Sequence, residues 1–99
     1  PQITAYPDTL IFPPTAVGQE AQKTVILKNT GSLTAHIRQY EMDGPFHQTN
    51  SGNTHLAPDE YIQLTVTYKP TSAGNHTGSI QVDIGEGLGQ FAILQGIAF

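Results

Sequence analysis

Apolar and polar residues alternate along most of the 99-residue chain, with the two-residue period of a β-strand. The alternation is clearest in residues 61–69, where Ile62, Leu64, Val66 and Tyr68 occupy every second position. Clusters of Gly, Pro and Asn interrupt the pattern at short intervals and indicate turns. The predicted strands are residues 3–6, 9–12, 20–29, 33–42, 61–69, 75–84 and 90–99. Residues 48–54 are predicted to be a loop or a weak edge strand.

The alternation also predicts which side chains face the core and which face the solvent. In residues 33–42 the inward positions are Leu33, Ala35 and Ile37, and the outward positions are His36, Arg38 and Tyr40. The outward positions of residues 61–69 are Tyr61, Gln63, Thr65 and Thr67. Tyr and Arg are over-represented at binding hot spots. If the two strands share a sheet, they form a mixed patch whose candidate protein-binding residues are His36, Arg38, Tyr40, Tyr61, Gln63 and Thr65.

Two alternatives to this patch stay open. The outward side chains can form an ordinary solvated sheet face, which is the usual role of such positions. A partner can instead add a strand at a sheet edge. The first strand and residues 48–54 are the expected edges.

Seven or eight short strands separated by regular turns predict an all-β, immunoglobulin-like sandwich. No segment predicts a helix, because the longest stretches free of Gly and Pro are rich in Thr, Val, Ile and Tyr. The length suits a single domain that covers residues 1–99. Because the chain lacks an initiator Met, we expect this domain to be part of a larger protein.

The composition argues against several classes of partner. The formal net charge is −4, and the fixed cations are the scattered Lys23, Lys28, Arg38 and Lys69. Nucleic acid requires clustered Lys and Arg, so we expect no nucleic-acid partner. No apolar run approaches the ~20 residues of a spanning helix, so we expect no membrane insertion. The absence of Cys excludes a disulfide framework and thiolate metal sites.

No group of residues predicts catalysis, a metal or a cofactor. The histidines lack the pair spacing of zinc motifs and are interpreted as solvated surface residues: His36, His47, His55 and His76. The carboxylates lie mostly in turns, where Asp is common, and no serine has the G-x-S-x-G context. Residues 85–89 are glycine-rich but lack the ending of a phosphate loop. Residues 75–77 form a glycosylation sequon, which leaves glycosylation of Asn75 open.

An ordered set of residues along nearly the whole chain resembles one domain family. The set is Leu10, Phe12, Gly18, Val25, Leu27, residues 29–31, 45–46, 56–59, 66–70 and 73–74, then Gly78, Ile80, Val82 and residues 94–98. In this order and spacing they resemble the ASH domain, a PapD-like and major-sperm-protein-like family found in ciliary and centrosomal proteins such as hydin and Spd-2. The resemblance implies a sandwich of seven or eight strands.

The resemblance also implies a function. It suggests a non-catalytic domain of a large centrosomal or ciliary scaffold in the cytoplasm, which recruits other proteins through a sheet face or an edge strand. The alternative is a structural spacer in a tandem array, in a bacterial surface or secretory-pathway protein. Relatives that bind short acidic motifs use a Lys-Thr pair. Residues 37–41 differ from that pattern here, so we do not expect such motifs to bind.

Three parts of this set carry physical expectations. Pro45 is expected to fix an extended entry that brings Phe46 to the edge of the core. Gly96 suggests a bulge or a close approach of another group to the backbone. Asn29 and Gly31 belong to a predicted turn in which both residue types suit a positive φ angle.

Overall fold

The computed structural model describes residues 2–50, 53–85 and 88–99. Over these residues the chain forms ten β-strands and no helix. The strands are β1 (Ile3–Tyr6), β2 (Thr9–Ile11), β3 (Ala21–Asn29), β4 (Ala35–Ile37), β5 (Gln39–Met42), β6 (Phe46–His47), β7 (Thr54–Leu56), β8 (Tyr61–Tyr68), β9 (Gly74–Asp83) and β10 (Leu88–Ala98). The described part therefore also contains no helix that could cross a membrane.

The strands of the described residues assemble into two four-stranded sheets and a small ribbon. The first sheet has the order β1-β3-β8-β6, and all its pairs are antiparallel. The second sheet has the order β2-β10-β9-β5, in which β2 runs parallel to β10 and the other pairs are antiparallel. β4 and β7 form a separate antiparallel ribbon. Side chains from both sheets share one buried core, which confirms the predicted all-β sandwich.

The core is built from alternate positions of the long strands, as the sequence pattern predicts. Leu64, Val66 and Tyr68 of β8 are buried, and so are Ile80 and Val82 of β9. Apart from the buried Ser79, their neighbours along each strand face outward or lie at the margin of the core. The inward face predicted for residues 61–69 is therefore confirmed.

Three aromatic rings meet in the core and join the two sheets. The ring centroids of Phe12 and Phe46 lie 5.6 Å apart, those of Phe12 and Tyr68 lie 5.6 Å apart, and those of Phe46 and Tyr68 lie 5.0 Å apart. All three side chains are buried. Phe12 follows β2 of the second sheet, whereas Phe46 and Tyr68 belong to the first, so the contact spans the sandwich. The predicted burial of Phe46 is confirmed.

Gly96 of β10 provides the space that the Tyr68 ring occupies. A Cβ atom at position 96 would lie 2.5–2.9 Å from three carbon atoms of that ring. Close-packed interiors do not accommodate such an overlap without movement of the backbone or the ring. The predicted close approach at Gly96 is confirmed, and the approaching group is the aromatic ring of Tyr68.

Asn29, the last residue of β3, is a buried polar side chain with three hydrogen bonds. Its Nδ2 donates to the carbonyl oxygens of Leu33 at 2.7 Å and Leu56 at 2.8 Å, and its Oδ1 accepts from the Gly31 N–H at 3.0 Å. The predicted turn after Asn29 is present, but the reason given for it is wrong. Neither Asn29 nor Gly31 has a positive φ angle, and the Asn29 side chain holds the turn instead.

Residues 33–42 do not form the single strand that the sequence predicts. Leu33 is 64% exposed because the Asn29 side chain holds its carbonyl in the preceding turn, so its predicted inward position is wrong. The first part of this segment forms β4, which pairs with β7. The chain changes sheets at Arg38, and the second part forms β5, which pairs with β9. This change interrupts the alternation, so both Ile37 and Tyr40 face the core. The predicted outward orientation of Tyr40 is therefore wrong.

The division of residues 33–42 and the short strands β6 and β7 explain why there are more strands than the seven or eight predicted. Residues 48–50 and 53 belong to no strand, and β7 begins at Thr54. Residues 51–52 of the predicted loop and residues 86–87 of the glycine-rich turn lie outside the described residues. The expected edge position of the first strand is confirmed, because β1 ends the first sheet.

Substitution Gly96→Ala tests the contact between β10 and the Tyr68 ring. Because the new methyl group overlaps the ring, we expect the free energy of unfolding to fall by about 2 kcal/mol or more. Urea unfolding followed by tyrosine fluorescence measures this change. Gly89→Ala on the same strand is the matched control, since the nearest atom to its Cβ is 3.4 Å away. Equal unfolding midpoints for the two variants would contradict the assignment.

Candidate functional site

The structure places Tyr61, Gln63 and Thr65 together on the outer face of the first sheet, and we call these three the mixed row. All three side chains are exposed, Tyr61 to 62%. On β3 their Cα partners are Lys28, Ile26 and Thr24, so polar, apolar and basic groups alternate across the face. The outward orientation predicted for the mixed row is confirmed. Its role in binding stays a prediction.

The other three candidate residues lie elsewhere in the fold. His36 belongs to the β4–β7 ribbon, where its ring stacks on that of His55 at a centroid distance of 4.1 Å. Arg38 lies between β4 and β5, and its backbone N–H donates to the Asp83 carbonyl at 2.8 Å. Tyr40 belongs to the second sheet. The two predicted strands do not share a sheet, so the combined patch does not form.

Tyr40 is a buried phenol rather than a surface residue. Its side chain is 8% exposed, and its hydroxyl donates a hydrogen bond to Thr54 Oγ1 at 3.2 Å. Burial raises the pKa of Tyr40 above its ordinary value, because the phenolate would lose hydration, and the hydrogen bond to Thr54 partly opposes this rise. The Tyr40 side chain therefore links β5 to the start of β7 through this hydrogen bond, and it does not contact a partner protein.

A surface that the sequence pattern did not single out lies on the outer face of the second sheet. Ile93 and Ile97 of β10 flank Gln95, and Ile11 of β2 pairs directly with Gln95. These isoleucines, which we call the apolar face, are exposed to 41%, 46% and 63% for Ile93, Ile97 and Ile11. The sequence contains one signal of this surface, because β10 is apolar on both faces: Ala92 and Leu94 point inward, whereas Ile93 and Ile97 point outward.

On the neighbouring strand β9, the residues that border the apolar face carry no formal charge. Its residues opposite Ile93, Gln95 and Ile97 are Ser79, Thr77 and Asn75. An open depression of about 320 Å³ crosses this face and is lined by the side of β10 that includes Gln95 and Ile97. The Asp43 carboxylate also reaches this border, because its Oδ1 accepts a hydrogen bond from the Ser79 N–H at 2.7 Å. An exposed apolar group with a polar border is typical of a protein-binding surface.

The described residues contain no cluster of metal-ligating side chains. Over the ranges 2–50, 53–85 and 88–99, no three His, Asp or Glu side chains converge as metal ligands. The hydroxyl of Tyr68 and His76 Nδ1 lie 2.6 Å apart, and His76 Nε2 lies 3.3 Å from Ser72 Oγ. The contact with His76 gives the hydroxyl of the buried Tyr68 a hydrogen-bond partner at the end of β8. The interpretation of all four histidines as solvated is wrong for His36 and His76, which are half-buried.

Comparison with known proteins identifies relatives of this fold. A sequence model of the family described as Cep192 domain 8 matches residues 2–98. The solved ASH / PapD-like domain of human CEP192 (PapD-like domain 7) superposes with a TM-score of 0.70 at 14% identity, over 98% of this chain and 84% of that chain. A search of curated proteins finds no match.

Two further solved structures share the fold. WR4, a Caenorhabditis elegans MSP family member, has a TM-score of 0.63 at 13% identity, over 98% of this chain and 97% of that chain. The Vibrio cholerae VesB protease has a TM-score of 0.67 at 12% identity, over 97% of this chain but only 32% of that chain. The Cep192 domain 8 match, together with the CEP192 domain and WR4, confirms the ASH, PapD-like and MSP-like resemblance of the sequence.

Substitution Tyr40→Phe tests the burial of this phenol through the pH dependence of stability. Because the folded state holds the Tyr40 proton more tightly than the unfolded chain, the contribution of Tyr40 is intact below pH ~10 and declines as the pH rises above it. We expect Tyr40→Phe to lessen this alkaline decline. The burial of Tyr68 raises its pKa as well, so part of the decline remains.

Urea unfolding at neutral and alkaline pH measures both effects. At neutral pH the loss of the hydrogen bond to Thr54 costs about 1 kcal/mol. Thr54→Val is the control, because it removes the same hydrogen bond but leaves the buried phenol and the alkaline decline. If Tyr40→Phe loses stability with pH as steeply as the parent domain, Tyr40 is not a buried phenol.

Proposed function

Because the chain belongs to the Cep192 domain 8 family, we propose that it is a non-catalytic protein-binding domain of a centrosomal scaffold protein. The family match supports the setting, since it covers residues 2–98. The similar domain of human CEP192 and the MSP family member support a role without chemistry. The resemblance to ASH domains in ciliary proteins extends the expected setting to basal bodies and cilia. The partners are other proteins.

The observation that carries the binding role is the apolar face. Ile11, Ile93 and Ile97 are three large aliphatic side chains in exposed, adjacent positions of one sheet. Each exposed isoleucine that becomes covered by a partner contributes favourably through removal of its apolar area from water. The β9 side chains opposite Ile93, Gln95 and Ile97 are neutral and cost less to desolvate than charged groups would. A partner with an aliphatic or aromatic surface fits this face.

The mixed row is a second candidate surface of the same domain. Tyr61 offers an exposed aromatic ring, and Lys28 beside it offers a cation. Such rows also occur on ordinary solvated sheets, so the row supports the binding role less strongly than the apolar face does. A structural spacer remains the alternative function, and the experiment below separates it from binding.

Substitution Ile97→Glu tests the apolar face. A carboxylate in the contact would have to lose its hydration, so we expect capture of partner proteins from a centrosome-enriched fraction to fall at least tenfold. Quantitative mass spectrometry of proteins retained by the immobilised domain measures this loss. Gln63→Glu is the matched control, because it adds the same charge to the mixed row on the opposite sheet. Unfolding midpoints establish that both variants remain folded.

The outcomes distinguish the hypotheses. Loss with Ile97→Glu and retention with Gln63→Glu support the apolar face. The reverse result assigns binding to the mixed row, and Tyr61→Ala should then lose the same proteins. If the parent domain itself retains nothing specific, the binding role fails and the spacer function takes its place.

A further inference from the structure

β3 is paired on both sides along only part of its length. β8 pairs with residues 21–28 on one side, whereas β1 pairs only with residues 26–29 on the other. After Tyr6 the chain leaves the first sheet and joins the second as β2, next to β10. Among the described residues, no strand pairs with residues 21–25 on the side that β1 leaves open.

The direction of the backbone groups at this edge follows from the end of β3. The Asn29 N–H donates to the Glu60 carbonyl at 2.9 Å, and the Asn29 carbonyl accepts from the Asp59 N–H at 2.8 Å, so Asn29 faces the β8 side. Backbone groups alternate in direction along an antiparallel strand. The even-numbered Gln22 and Thr24 therefore direct their N–H and C=O groups toward the open side.

A groove runs beside these backbone groups. It has a volume of about 470 Å³ and lies between residues 22–24 of β3 and the β2 segment that contains Leu10 and Ile11. Unpaired N–H and C=O groups beside an open groove are a template for an added strand. Ile11 lines this groove and also belongs to the apolar face, so the two surfaces are continuous.

The positive charge of Lys23 limits which strands can be added at this edge. It lies between Gln22 and Thr24, at a position of the alternation that otherwise points inward, and it lines the groove with an exposed ammonium group. A charged residue that points inward at an edge opposes the addition of uncharged strands. A second copy of this chain that pairs through the same edge brings another Lys23 close, and the like charges repel. A carboxylate opposite Lys23 removes this barrier.

We propose that an extended segment of a partner protein adds to β3 alongside residues 22–24 and places a single Asp or Glu side chain opposite Lys23. The proposal rests on the protein-binding function and adds a location and a partner chemistry to it. The partner backbone satisfies the four polar groups of Gln22 and Thr24. Its carboxylate pairs with the Lys23 ammonium, and the side chains two positions away lie on the same face of the added strand.

A charge exchange tests the proposal. The probes are the peptides TVTETVT and TVTKTVT, which differ only in the central charge. We expect the parent domain to bind the glutamate peptide about fivefold more tightly than the lysine peptide, and Lys23→Glu to reverse this order. Titration of the ¹⁵N-labelled domain should shift the Gln22 and Thr24 amides most and slow their hydrogen exchange. Thr24→Pro removes an outward N–H and should weaken both peptides about fivefold or more.

Three results would overturn the proposal. They are slow exchange of the Gln22 and Thr24 amides in the free domain, absence of binding at millimolar peptide, and an unchanged order of affinities in Lys23→Glu. Capture of partners from the centrosome-enriched fraction separates this proposal from the proposed function. If Thr24→Pro and Lys23→Glu retain the partners that Ile97→Glu loses, the domain binds protein through its apolar face and the edge proposal is wrong.

Discussion

The packing of Phe12 against Phe46 and Tyr68 is the contact on which the rest of the structure depends. It is the point where an aromatic side chain next to the second sheet packs against two rings of the first that stack on each other. Gly96 makes the arrangement possible, since any larger side chain would occupy the volume of the Tyr68 ring. Because Phe12 directly follows β2, its burial holds β2 against β10 in the second sheet.

Both proposed surfaces follow from this position of β2. If β2 continued the line of β1, it would cover residues 21–25 of β3 and close the first sheet at that edge. Instead, β2 leaves that edge open and turns Ile11 outward beside Ile93 and Ile97. The open edge and the apolar face therefore lie next to each other. A partner that adds a strand at β3 can extend over Ile11 and cover part of the apolar face.

Local patterns in the sequence predict the strands whose faces are fixed by alternation alone. Residues 61–69 are an example, and Phe46 and Gly96 also have the environments expected of them, whereas Pro45 lies in a turn rather than in the extended entry expected of it. Properties that depend on distant partners were not predictable in this way. The change of sheet at Arg38 reverses the orientation of Tyr40, and it is caused by pairing with β7 and β9 rather than by the local residues.

The same limit applies to the candidate site. A sequence shows that Tyr61 and Arg38 are outward in their own segments, but not that these segments lie in different parts of the fold. The apolar face requires knowledge that β2 pairs with β10, and the open edge requires knowledge of where β1 ends along β3. The role of Asn29 was also hidden, because a buried Asn that holds three backbone groups resembles an ordinary turn residue in sequence.

The most direct test of strand addition at β3 is hydrogen–deuterium exchange of the domain, free and bound to the proteins that it captures from the centrosome-enriched fraction. We expect exchange to slow on binding in the peptide segment containing Gln22 and Thr24, because partner groups then pair with their N–H groups. The buried ladder between β9 and β10 should exchange slowly in both states. Equal exchange at residues 22–24 in the free and bound domain would contradict strand addition at this edge.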